Sequence, residues 1–188
     1  MQRSLLVASL PNLITLARLV LVPLIIVLII NGDWPAAFVV FVAAGISDAV
    51  DGFLARRMNL RTELGAYLDP IADKALLTSI YVTLAVIGVV PVSVAVLVVA
   101  RDLMIIGAVV VSWLLSHPVE IRPLLVSKAN TTAQISFAAL VLWAKAFGLV
   151  LGLWFDVALY VVVGLTLASA MVYLAQWVQH MAQSPHQK

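Results

Sequence analysis

Cysteine is absent from the 188 residues, which excludes disulfides, thiolate metal sites and a cysteine nucleophile. Charge is scarce: 11% of residues are charged against 64% hydrophobic, and the mean hydropathy is +1.13. Soluble domains are roughly half apolar, so a soluble fold is excluded and the working parts must sit in or against a membrane. The formal net charge of +2 is too small to imply nucleic-acid binding. A crossing needs about 20 apolar residues, so this length holds at most about six or seven spans and no sizeable soluble domain.

A short amphipathic stretch runs to Leu10 and Pro11, followed by an apolar run from Leu13 to Ile30 broken only by Arg18. This reads as an interfacial lead-in and a first span, too long for a cleavable signal and without a small-residue site before Asn31. Further spans are expected over 34–55, 68–88, 92–115, 129–150 and 155–178. Asn31-Gly32-Asp33 and Val89-Val90-Pro91 read as tight turns, and 116–128 as a polar loop. The expected fold is therefore an all-α integral membrane protein with six transmembrane helices and a short N-terminal interfacial segment. Six crossings put both termini on one side, with Arg3, Arg56, Arg57, Arg61, Arg122, Lys128 and Lys188, whereas the opposite turns hold Lys145. By the positive-inside rule both termini are cytoplasmic. The small residues Gly45, Ala49, Gly164, Ala168 and Ala170 suit close helix packing.

Of nine acidic residues, Asp48, Asp51, Asp69 and Asp73 fall within residues 48–73. On helices, the first pair is three apart and the second four apart, so each projects from one face with Cβ atoms about 5–6 Å apart. A carboxylate at the bilayer centre costs roughly 3 kcal/mol on insertion scales, and like charges in proximity add to that. A cation must compensate. Oxygen donors without nearby thiolate or imidazole suit hard divalent ions, Mg²⁺ or Mn²⁺, in a one- or two-metal site. Gly52 permits close backbone approach, Ala55 keeps the helix face thin, and Gly65 lets the connection fold back toward Asp69. Arg56 is placed to clamp a phosphate bidentately. Metal plus arginine points to diphosphate chemistry, while Arg57 and Arg61 read as topology anchors.

The string Asp48-x2-Asp51-Gly52-x2-Ala55-Arg56-x8-Gly65-x3-Asp69-x3-Asp73 resembles the full signature of the CDP-alcohol phosphotransferase family at all its fixed positions. The resemblance implies a single membrane domain over residues 1–188 and transfer of a phosphatidyl or similar group from a CDP-linked donor to an alcohol, with release of CMP. It implies that Asp48, Asp51, Asp69 and Asp73 hold two divalent cations and that Asp73 also acts as base. It also implies donor contacts from Gly52, Ala55, Arg56, Thr62 and Gly65, helped by Asn12, Thr15 and Arg18. The expected partners are CDP-diacylglycerol, an anionic alcohol or lipid acceptor, membrane lipids and a second copy of the chain. The expected place is an inner membrane of a cell or organelle, with the site at the cytoplasmic or equivalent face.

For the acceptor, Arg101 and Lys128 are candidates, Arg101 because it lies too deep to snorkel and Lys128 because Ser127, Asn130 and Thr131 surround it. Arg122 is a third, weaker candidate. Family members that use glycerol 3-phosphate typically carry an Arg-Glu pair in span four and another Arg two turns on. This chain has Arg101-Asp102, and Val109 stands where the second Arg is expected. The strings around Asp69, Arg101 and Ser127 resemble cardiolipin synthases of the mitochondrial type, which implies phosphatidylglycerol as acceptor, with glycerol 3-phosphate as the alternative. A divalent-cation or proton-coupled carrier is the alternative from another class.

Overall fold

A computed structural model of the chain describes residues 19–58, 63–114 and 125–183, with residues 51–58, 63–73, 109, 113, 182 and 183 described by their backbone alone. The described residues form helices and their turns, with no strand among them. The helices are α1 (Leu19–Ile30), α2 (Trp34–Met58), α3 (Glu63–Val86), α4 (Val92–Leu114), α5 (Leu125–Ala146) and α6 (Leu153–Gln183).

Three of the helix ends are built alike. After α1, Gly32 N–H donates to Ile29 O and Asp33 N–H to Leu28 O; after α3, Gly88 donates to Ala85 and Val89 to Leu84; after α5, Gly148 donates to Lys145 and Leu149 to Ala144. Each is a Schellman cap, in which the residue just past the helix takes the left-handed conformation. Glycine fills that place each time, at φ 75, 75 and 65°, where a side chain would be strained. Asp33 then caps α2, its Oδ1 accepting from Ala36 N–H at 3.3 Å, and Pro35 costs no bond in a first turn whose N–H groups lack intrahelical partners.

Several expected boundaries are corrected. α5 begins at Leu125, so Ser127 and Lys128 lie in its first turn and not in a loop; it ends at Ala146, before the expected 150, because Gly148 caps it. α2 continues past Ala55 to Met58, α3 starts at Glu63 in place of 68, and α6 runs over 153–183 in place of 155–178. The expectation of close packing at Gly45 and Gly164 also fails, since a Cβ built on either would meet nothing within 4 Å.

The chain divides into two compact units. The first holds α1, α2, α3 and the end of α5. Its core follows helical spacing: Ile25 and Ile29 on α1, Ala37, Phe41 and Ala44 on α2, Ile80, Tyr81 and Leu84 on α3, and Val141 and Leu142 on α5 are all buried. At one edge Lys145 Nζ sits 5.6 Å from the Trp34 ring centroid, and Phe38 meets Phe147 edge-on at 6.5 Å.

The second unit holds α4, the start of α5, and α6. α4 packs on α6, and they run parallel, because Arg101 meets Ser169 while Ser112, further along α4, meets Trp177, further along α6. α5 runs the other way: Asn130 meets Thr166, and Phe137 stacks on Phe155, earlier in α6, at 5.5 Å. Among the described residues two helices are long and apolar enough to cross a membrane, over Val92–Ser112 and Leu153–Met181, and only 24% and 22% of their apolar windows are buried. A core helix of a soluble domain hides most of its surface; here Val96, Leu103, Ile106, Val157, Tyr160 and Met171 stand exposed, as lipid-facing residues do.

Candidate active site

The motif residues fall on two consecutive helices of the first unit. Asp48, Asp51, Gly52, Ala55 and Arg56 lie on α2, and Gly65, Asp69 and Asp73 on α3. At 1.5 Å rise per residue, Asp48 to Arg56 covers about 12 Å of axis and Asp69 to Asp73 about 6 Å. The two positions of each pair therefore fall within about one turn of their helix. Asp48 is half-buried, as is Lys74 beside Asp73; Asp51, Asp69 and Asp73 are placed by helical register. Pro70 sits inside α3, and its missing N–H leaves the carbonyl of residue 66 without its intrahelical donor, in the turn that leads up to the two aspartates. Asn12, Thr15, Arg18, Thr62 and Arg122 lie outside the described residues.

The second unit is organised around Arg101. A charged residue in an apolar helix must find partners, and Arg101, 4% exposed, has them on all three helices. Its Nη1 pairs with Asp102 Oδ1 at 2.7 Å. Its Nε and Nη2 both donate to Ser169 Oγ on α6, at 3.2 and 2.7 Å. Nη2 also donates to Ser127 Oγ on α5. The Tyr173 ring centroid lies 5.7 Å from Cζ, close enough for a cation–π contact. Of the acceptor candidates, then, Arg101 is held on every side, whereas Lys128, next to Ser127, is exposed.

One turn along α5 and α6 the polar stripe continues. Thr166 Oγ1 donates to Asn130 Oδ1 at 2.8 Å and accepts from Gln134 Nε2 at 3.3 Å. All three side chains are buried, and among the described residues Asn130 Nδ2 has no hydrogen-bond partner. At the far end Trp177 Nε1 donates to Ser112 Oγ at 2.9 Å, while Ser112 donates to Ala108 O. Sequence reasoning missed Gln134, Thr166, Ser169 and Tyr173 as members of this network. The available signal was the spacing of Thr166, Ser169, Tyr173 and Trp177 along α6, at intervals of three and four residues, which puts them on one face.

Comparison with known proteins gives these helices a class. Residues 8–175 match the family model described as CDP-alcohol phosphatidyltransferase. The chain belongs to that family. A human protein named cardiolipin synthase (CMP-forming) is 34% identical over 155 residues, covering 74% of this chain and 52% of the human one. A Bacillus subtilis protein named CDP-diacylglycerol–glycerol-3-phosphate 3-phosphatidyltransferase is 32% identical over 184 residues, 89% of this chain and 94% of its own. A rice chloroplastic protein of that same activity name is 32% identical over 157 residues, 74% of this chain and 48% of its own. The chain thus spans about half the length of the human and rice relatives and nearly all of the bacterial one. These names are of lipid-synthesising transferases, and the carrier alternative has no support among them.

Proposed function

We propose that the chain moves a phosphatidyl group from CDP-diacylglycerol to the hydroxyl of phosphatidylglycerol, forming cardiolipin and CMP. The observation that carries this reading is the unbroken motif from Asp48 to Asp73, on two consecutive helices of a chain that belongs to the family. The strings around Arg101 and Ser127, and the cardiolipin synthases among the relatives, support the acceptor.

In the reaction, the acceptor hydroxyl oxygen bonds to the phosphorus that carries diacylglycerol. The bond from that phosphorus to the bridging oxygen breaks, and CMP leaves with the oxygen and its electron pair. Asp73 takes the hydroxyl proton as attack proceeds. Arg56 holds the diphosphate through its paired N–H groups; Gly52, Ala55 and Gly65 leave room for the nucleotide, and Asn12, Thr15, Arg18 and Thr62 complete its site. Asp48, Asp51, Asp69 and Asp73 offer only hard oxygen donors, a set that fits two Mg²⁺ or Mn²⁺ ions. When bound, these would neutralise the diphosphate and polarise the phosphorus under attack. Arg101, Lys128 and Arg122 serve the acceptor's phosphate.

The reading includes six crossings, cytoplasmic termini, a site at the cytoplasmic face and a homodimer. The glycine-capped turns after α1, α3 and α5 support this topology, because each ends an apolar helix where the chain is expected to turn back. A second reading, glycerol 3-phosphate as acceptor, is favoured by the bacterial relative, whose length this chain almost fully covers. Purified protein given CDP-diacylglycerol and Mg²⁺ or Mn²⁺, with either acceptor, decides between the two. Cardiolipin and CMP are expected with phosphatidylglycerol. Phosphatidylglycerophosphate alone would move the assignment to the second reading, and no CMP with any alcohol would end the transferase reading.

A further inference from the structure

The turns after α1 and α5 share a backbone geometry and differ in chemistry. Both are Schellman caps around a left-handed glycine, but the first reads Asn31-Gly32-Asp33 and the second Phe147-Gly148-Leu149-Val150. The cap asks for the glycine and for one apolar residue beyond it, a place that Leu149 fills. It does not ask for Phe147 or Val150, which are 65% and 96% exposed, and Leu149 itself is 46% exposed. A turn that faces water is normally made of polar residues, and an exposed apolar tip marks a surface that meets something else.

The surroundings of the tip fit lipid. Lys145, in the last turn of α5, is exposed, with its Nζ 5.6 Å from the Trp34 ring centroid, and Trp143, one turn before Phe147, is exposed as well. Tryptophan and lysine suit the headgroup level of a bilayer, where the ring lies among acyl chains and the ammonium reaches a phosphate. The backbone sets the depth. Phe147, Gly148 and Leu149 N–H donate to the Trp143, Lys145 and Ala144 carbonyls at 3.1, 3.3 and 2.8 Å, so these side chains can enter hydrocarbon without bringing unmet amides with them. Val150 N–H has no such acceptor among the described residues, which keeps the backbone of the tip within reach of water. Three side chains fall well short of the roughly 800 Å² per partner of a stable protein interface, so on their own they do not make one. We propose that Phe147, Leu149 and Val150 form a membrane-inserting tip that dips into the headgroup–acyl boundary of the leaflet where α5 ends, with Lys145 on the lipid phosphates. This goes beyond the transferase reading and rests only on its placement of the helices across a bilayer. The tip fixes the level at which α5 leaves the membrane, while the Asn31 turn stays in water.

The absence of cysteine from the chain lets a single introduced one be spin-labelled alone. Val150→Cys reports on the tip, Asn31→Cys on the polar turn and Val39→Cys on the outer face of α2; all three positions are exposed, so none gives up packing. Each protein is placed in vesicles of phosphatidylcholine and phosphatidylglycerol. Depth is read from collisions of the label with oxygen, which concentrates in hydrocarbon, and with a neutral nickel chelate, which stays in water. The Val150 label is expected about 5–10 Å inside the lipid phosphates, grouped with Val39 and shielded from nickel relative to Asn31. Equal nickel collision at Val150 and Asn31 overturns the proposal. So does a Val150 label that meets neither reagent, which would mean that protein covers the tip. Should Val150→Cys fail to reconstitute, Phe147→Cys is read in the same way against the same two references. A Val39 label open to nickel is a different result, which overturns the placement of α2 in the bilayer, and the transferase reading is judged separately by CMP release.

Discussion

The aspartates of α2 and α3 and the arginine of α4 are both ionisable groups set in apolar helices, and they handle that problem in opposite ways. The first region spaces its aspartates three and four residues apart along two helices. The second pairs its cation with the adjacent carboxylate at 2.7 Å and fastens it to two serines on other helices. Like charges held together store repulsion that a bound cation relieves. A balanced pair is complete without a ligand and ties helices together. In the proposed reading the first region is completed by a bound cation, whereas the guanidinium of the second is tied by the protein itself to side chains on three helices.

The largest expected effect tests the first half of this contrast. Asp69→Asn removes one oxygen charge from the proposed cation set and lowers CMP release by more than about 100-fold, a loss beyond that of an outer-shell change. Because it also relieves repulsion, its melting temperature in detergent stays at or above that of wild type. Retained turnover would remove Asp69 from the cation set, and a marked fall in melting temperature would show that the aspartates are structural. Arg101→Ala makes the reverse trade. It leaves the half-buried Asp102 without its guanidinium, removes the side chain that joins three helices, and costs about 3–5 kcal/mol, seen as a large loss of thermal stability and of monodisperse protein. If both variants lost stability equally, the two regions would not differ in kind.

Smaller changes sharpen the second half. Ser127→Ala removes one hydrogen bond from the charged Arg101 and Ser169→Ala removes two that share one oxygen, and each variant costs about 1.5–3 kcal/mol. Their effects are coupled through Nη2, so the double variant loses less than the sum, by roughly 0.5 kcal/mol or more. Strict additivity in a thermal double-mutant cycle would show that the two serines act on Arg101 independently.

The motif region was legible in the sequence because it combines charge with fixed spacing, and charge is rare enough in this chain to stand out. The helices were legible from their apolar runs, and the odd-to-even turns from Gly32 and Gly88, which fall where an apolar run stops. The start of α5 was not. Ser127 and Lys128 read as the end of a polar loop, with the span expected only from 129, yet a helix can begin in such residues when their polar atoms have places to go. Thr131 and Thr132 hydroxyls donate to carbonyls one turn back, while Ser127 and Asn130 face partners on other helices. The α6 partners were hidden for the same reason. A Ser or Thr in an apolar helix can satisfy itself on its own backbone, so Thr166 and Ser169 carry no mark of the helices they join. Gly45 and Gly164 mislead in the other direction, since small residues permit close approach without requiring it.

The smallest expected effect is at Asn130. Its Oδ1 accepts from Thr166 while its buried Nδ2 lacks a partner among the described residues. An unmet donor in a buried site is penalised by about 1–3 kcal/mol, against about 1 kcal/mol gained from a typical neutral hydrogen bond. Asn130→Ala removes the gain and the penalty together. Thr166 keeps its bond from Gln134 and can turn its hydroxyl to the Val162 carbonyl one turn back, as Thr83 and Ser112 do with theirs. The net change is therefore within about 1 kcal/mol, much less than at Ser169, although both residues are buried and polar in the same stripe. A thermal loss at Asn130→Ala equal to that at Ser169→Ala would mean that the amide has a partner of its own, and that the balance seen at Arg101 extends a full turn further through the helices.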